Sequence, residues 1–135
     1  KQQEAASRKS VVPCILVVDD YISDARLMRR LFEARQRFKV IEAHSGVEAF
    51  DALEQATPDL IILDLRLPDV DGQQLLTLLR ERDDTKHVPV VIVSARDISP
   101  DLRARLAPEV ESMWTKAAMD RSVFLSHIEK LLLPE

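Results

Sequence analysis

Leu60-Ile61-Ile62-Leu63-Asp64-Leu65-Arg66-Leu67-Pro68-Asp69-Val70-Asp71-Gly72 is the stretch that decides the fold. Four apolar residues run into one acid, and a turn containing Pro68 and Gly72 follows at once. A short continuous apolar run closed by turn residues predicts a strand buried on both faces. Asp64 then stands at the carboxyl end of that strand, where open α/β sheets place their chemistry. Taken alone, Asp64 reads equally well as a strand-end acid bonded to loop amides. Val17-Val18-Asp19-Asp20 makes the same transition earlier in the chain. Two strands ending in carboxylates can bring three acids together, and three acids in one pocket repel unless a cation holds them.

Outward from that stretch, apolar runs alternate with helical spacing. Cys14 to Val18 predicts the first strand, and Ala25, Leu27, Met28, Leu31 and Phe32 give a helix from Ser23. Phe38 to Ala43 predicts a second strand. Ser45 with Glu48 three residues later forms a capping-box pattern for the next helix, which Pro58 stops. Asp59 to Leu63 is the central strand, and Leu75, Leu76, Leu78 and Leu79 carry the helix after Gly72. Val88 to Val93 predicts a fourth strand ending at Ser94, with Pro89 near its start where a missing amide is tolerated. Ser99-Pro100-Asp101 opens a short helix, Val110 to Trp114 is a weak fifth strand leading to Lys116, and Asp120 starts the last helix. Five strands alternating with five helices imply an α/β fold: a parallel sheet covered on both faces, with right-handed crossovers.

The 135 residues suffice for one domain with its own core. A net charge of -4 provides no basic field for nucleic acid or anionic lipid, so direct nucleic-acid and membrane contacts are not expected. No apolar run approaches the roughly 20 residues of a membrane span. The single cysteine, Cys14, cannot form an internal disulfide and is expected to be a small buried apolar residue in a reducing, cytoplasmic setting. Residues 1–12 read as a polar linker or disordered leader and residues 13–135 as the folded domain. The first residue is Lys, which points to a module taken from a longer protein.

The strand ends collect Asp19 and Asp20, Asp64, Ser94 and Lys116. If strands one, three, four and five are neighbours, all five side chains face one crevice. A hard divalent cation such as Mg²⁺ takes oxygen ligands and binds through one or two carboxylates, a requirement the acids meet. A carboxylate can also attack phosphorus to form an acyl phosphate. Ser94 could donate to a phosphoryl oxygen and Lys116 neutralise one. Singly, each has a plainer reading: Asp19 caps the turn into the first helix, Ser94 bonds its own backbone, and Lys116 is a surface lysine.

Together these residues resemble the receiver domain of two-component response regulators, over residues 13 to 133. Val17-Val18-Asp19-Asp20 resembles its acid pair and Asp64-Leu65-Arg66-Leu67-Pro68-Asp69-Val70-Asp71-Gly72 its phosphoacceptor loop. Val88-Pro89-Val90-Val91-Ile92-Val93-Ser94-Ala95 resembles its hydroxyl strand and Thr115-Lys116 its lysine turn. The resemblance implies a flavodoxin-like doubly wound sheet of order 2-1-3-4-5. It implies a phosphoacceptor module, not an enzyme, in which Asp64 takes a phosphoryl group from a histidine kinase or histidine phosphotransfer protein. It further implies Mg²⁺ on Asp20, Asp64 and the backbone carbonyl of Arg66, with Asp19 acting through metal-bound water. Ser94 and Lys116 would then engage the phosphoryl oxygens, and the surface of the fourth helix, fifth strand and fifth helix would switch. Two settings are expected, the C-terminal receiver of a hybrid sensor kinase, which is favoured, and a single-domain regulator, and a homodimer is left open.

The sequence departs from the family pattern in places. Met113 occupies the position three before the lysine where receivers usually carry an aromatic ring, and Trp114 falls one place later, on the opposite strand face. Trp114 is expected to pack on the last helix or to face a partner. Ala117 replaces the family's proline, and Pro108-Glu109-Val110 stands where a small pair precedes the fifth strand. Arg66 and Arg96 are expected either to flank the phosphoryl group and alter its lifetime, or simply to lie solvated at the rim or pair with Asp69 and Asp97. Two other function classes compete: an interaction module that works without phosphate, and a Mg²⁺-dependent aspartyl phosphohydrolase. The hydrolase commonly needs a second acid where Arg66 stands.

Overall fold

The computed structural model describes residues 12–133. The expected leader, residues 1–12, lies outside them except for Val12. The elements run β1 (Cys14–Val18), α1 (Ile22–Glu33), β2 (Lys39–Ala43), α2 (Gly46–Gln55), β3 (Leu60–Leu63) and α3 (Gly72–Glu81). They continue with β4 (Val90–Ser94), α4 (Pro100–Leu106), a 3-10 turn (Ala107–Glu109), β5 (Ser112–Thr115) and α5 (Arg121–Leu132). All neighbouring strands are parallel, in the order β2-β1-β3-β4-β5 that the resemblance implied. No helix among the described residues is long and apolar enough to cross a membrane.

Side chains alternate along each inner strand, and the alternation divides the core in two. Leu16, Val18, Ile61, Leu63, Val90 and Ile92 face α2, α3 and α4, while Ile15, Val17, Leu60, Ile62, Val91 and Val93 face α1 and α5. Every residue of β3 and β4 is buried, as strands covered on both faces must be. Phe32 of α1 is fully buried beneath the sheet, edge-on to Phe38 at 5.5 Å and tilted against Phe124 of α5 at 6.2 Å.

Helix starts follow local chemistry. Ser45 accepts from the Glu48 amide, Asp71 from Gln73, Ser99 from Leu102 and Asp120 from Val123. The return arm of the expected capping box is displaced by one residue, because the Glu48 carboxylate takes the amide of His44 at 2.8 Å. α2 ends at Gln55, three residues before Pro58, and α1 begins at Ile22 rather than Ser23.

Four strands start later than expected, β3 by a single residue at Leu60. β2 begins at Lys39, and Phe38 is spent on the aromatic cluster instead. β4 begins at Val90, since Pro89 has no amide to donate, although its carbonyl still accepts from Ile61. β5 spans Ser112–Thr115, and Val110 is excluded because the 3-10 turn occupies the preceding residues. Arg80 fixes that turn: its guanidinium donates to the Glu109 carbonyl at 2.7 Å and to the Val88 carbonyl at 2.8 Å. Cys14 is half-buried rather than buried, at the start of β1, and its burial pushes the thiol pKa up.

Gly72, the first residue of α3, is required for space. A Cβ there would lie 2.6 Å from Leu65 Cα and 2.8 Å from the Leu65 carbonyl oxygen, and backbone cannot swing aside. Gly72→Ala is therefore expected to lower stability by about 1–3 kcal/mol, read from urea unfolding. Gly46→Ala, where the added carbon meets side-chain atoms of Val70 and Asp69, should cost less.

Candidate functional site

The carboxyl edge of the sheet gathers the residues singled out in the sequence. Asp19, Asp64 and Lys116 each stand one step beyond a strand, still held by the last rung of a ladder, while Ser94 closes β4 and Asp20 follows Asp19. Asp19 N donates to Ala43 O at 2.9 Å, Asp64 N to Val18 O at 2.9 Å and Lys116 N to Ser94 O at 2.7 Å. These rungs fix three backbone positions at the ends of β1, β3 and β5, so their side chains converge without help from a flexible loop.

Asp19, Asp20 and Asp64 each offer an oxygen, and the three oxygens lie within 4.8 Å of one another. Asp19 and Asp64 are buried and Asp20 is exposed. Lys116 Nζ donates to Asp19 Oδ2 at 2.7 Å, to Asp24 Oδ2 at 2.8 Å and to Asp64 Oδ2 at 3.4 Å. Asp24, in the first turn of α1, is the member that the sequence reading missed. An acid there reads as a complement to the helix dipole. The one available signal was its place, a single turn beyond the Asp19-Asp20 pair.

Asp19 fulfils the plain reading and also reaches the lysine. Its Oδ1 accepts from the Tyr21 amide at 3.0 Å, turning the chain into α1, while Oδ2 holds Lys116. Asp64 Oδ1 accepts from the Arg66 amide at 3.0 Å. Ser94 is buried at the end of β4, and its Oγ accepts from the Arg96 amide at 3.2 Å, the backbone bond expected of a strand-end hydroxyl. Arg66 and Arg96 are exposed, and among the described residues neither forms an ion pair. Asp69 instead receives the amides of Gly46 and Val47 at 2.8 and 3.0 Å, which hold its carboxyl below the usual range.

Burial, reinforced by the negative charge of Asp19, pushes the Asp64 carboxyl up to about 6 against the opposing pull of the Arg66 amide and Lys116. Burial works against the charge on Lys116 as well. Its hydrogen bonds to Asp19 and Asp24 and the attraction of Asp19 and Asp64 prevail, and they raise its pKa above the ordinary value. One ammonium thus stands against four carboxylates. The donor set is all oxygen and net negative, which suits a hard divalent cation and disfavours soft metals.

On β5, Met113 packs with the α2, α3 and α4 side of the core and Trp114 with the α5 side, as alternation requires. Trp114 packs edge-on to Phe124 at 5.1 Å and donates its indole N–H to Ser112 Oγ at 2.8 Å. Packing on the last helix is therefore the outcome at this position. The peptide before Ala117 is trans.

Comparison with known proteins agrees with this geometry. Residues 15–129 match the family described as response regulator receiver domain. The polar-differentiation response regulator DivK of Brucella anthropi is 35% identical over 81 residues, 60% of this chain and 65% of that protein. The alignment thus spans just under two thirds of that relative's length. The signal receiver domain of a signal transduction histidine kinase from Syntrophus aciditrophicus superposes with a TM-score of 0.77 at 27% identity, covering 90% of both chains. The N-terminal domain of a response regulator receiver protein from Methanoculleus marisnigri gives 0.72 at 26% identity, over 93% of this chain and 100% of that one.

An acid whose pKa is raised on folding contributes most to stability below its ordinary value of 3.8, and the contribution is lost as pH rises through about 6. In the presence of a chelator, Asp64→Asn is therefore expected to be more stable than the parent at pH 7 by about 1–2 kcal/mol. The advantage should vanish below pH 4 in denaturant titrations.

Proposed function

This chain belongs to the response regulator receiver family, and we propose that within it Asp64 is the phosphoacceptor, taking a phosphoryl group from the phosphohistidine of a histidine kinase or phosphotransfer protein. The observation that carries this reading is the buried Asp64 carboxylate, one of three that meet within 4.8 Å, with the Lys116 ammonium 3.4 Å away. In the transfer, an Asp64 oxygen forms a bond to phosphorus as the phosphorus–nitrogen bond to the donor imidazole breaks. The step needs positioning and charge neutralisation more than proton chemistry.

Asp20 and Asp64 would hold Mg²⁺ with the Arg66 carbonyl, and Asp19 would act through metal-bound water. The ion would supply positive charge to the transferring oxygens. Lys116 would neutralise charge on another phosphoryl oxygen. Ser94 uses its oxygen to accept from Arg96, which leaves the hydroxyl proton free to donate to a phosphoryl oxygen without breaking that bond. With Met113 in place of an aromatic ring, the switch at α4, β5 and α5 would rest on an unbranched, adaptable side chain. Of the two rivals, the hydrolase is disfavoured because the place of its second acid holds Arg66, and that side chain is exposed. The interaction module is disfavoured because the acids and the lysine are in contact.

Incubation with phosphoramidate and Mg²⁺, followed by intact mass measurement, should give one phosphoryl group per chain, absent in Asp64→Asn. Sustained phosphate release would identify a hydrolase instead, and no adduct an interaction module. Arg66→Ala and Arg96→Ala should change the decay rate of the adduct, and decay identical to the parent would exclude shielding by these guanidinium groups.

A further inference from the structure

We propose that Asp24 is a positioning residue that competes with the phosphorylated site for Lys116. The inference rests on the reading of Asp64 as phosphoacceptor. The Lys116 ammonium carries three protons and has three carboxylate partners, and its two short contacts go to Asp19 and Asp24, not to Asp64. Asp19 belongs to the triad that suits a cation, and its oxygen faces that cluster. Asp24 does not. It is the one partner of Lys116 with no second task among these contacts, and a bound cation would leave it free to hold the ammonium.

The geometry gives the pull a direction. Asp24 and Lys116 line a groove between α1 and the start of α5, with Asp19 at its inner end, Arg121 at the start of α5, and Leu27, Met28, Leu31 and Met119 as its apolar wall. The ammonium is therefore drawn toward α1 and not clamped from every side. An incoming phosphoryl group adds oxygens that need the same positive charge, and Lys116 must give up Asp24 to serve them fully. Asp24 thus sets a threshold for phosphorylation. Its carboxylate is about a third exposed, so solvent weakens the contact and the threshold is modest.

The test compares the parent with Asp24→Asn, Asp24→Ala and Asp24→Glu, using phosphoramidate with Mg²⁺ and following adduct on Asp64 by intact mass. Asp24→Asn and Asp24→Ala are expected to raise the initial rate by about two- to fivefold, and Asp24→Glu, which restores a carboxylate, by less. The ratio should persist in about 1 M salt, where screening acts beyond roughly 3 Å, because a direct contact is removed and not a distant field. Rates equal to the parent in both neutral variants overturn the inference, as does a gain that disappears in high salt. A helix-dipole role for Asp24 would lower the melting temperature while leaving the rate ratio at one, and that too overturns it. If the parent itself forms no adduct, the reading of Asp64 fails first and this inference falls with it, whereas adduct on the parent with unresponsive variants removes this inference alone.

Discussion

The site is governed by repulsion held in check. Asp19 and Asp64 are buried, Asp20 lies beside them, and like charges at this spacing destabilise the fold unless positive charge answers them. Lys116 supplies part of the answer, from the far edge of the sheet and 97 residues away from Asp19 in sequence. The remainder is left for a cation or a protonated Asp64. Stability has been exchanged here for a densely charged pocket whose oxygen donors suit a divalent cation, the usual relation between a charged site and its scaffold.

The scaffold makes the exchange tolerable because it is rigid where the acids are attached. Inner strands buried on both faces cannot slip in register without turning apolar side chains from one core half to the other. Asp19 and Asp64 stand at the ends of inner strands and Lys116 at the end of the edge strand β5, each held by a ladder hydrogen bond, so their separation is set by strand spacing. Gly72 extends the same logic one step further, since α3 can start close against Leu65 only where no side chain intervenes.

Much of this was legible in the sequence, for reasons that differ by residue. Leu60 to Leu63 running into Asp64 shows both a strand and the acid at its end, because burial demands apolar residues and only the exit tolerates a charge. The strand order was not readable from periodicity, which is blind to neighbours, and came from the resemblance to receivers. Strand starts at Val90 and Ser112 were misplaced because hydropathy does not register a missing proline amide or a carbonyl captured by Arg80. Asp24 was invisible for a related reason. A first-turn acid is common in helices, and only tertiary structure shows that its carboxylate reaches Lys116.

The departures from the receiver pattern cluster on β5, the edge strand. Trp114 is the chain's single tryptophan, seated between Phe124 and His127, with its indole nitrogen tied to Ser112 and its backbone two residues from Lys116. The protein therefore contains its own optical probe. Its emission reports on one strand, the one that runs into the lysine and packs on α5, without any attached dye.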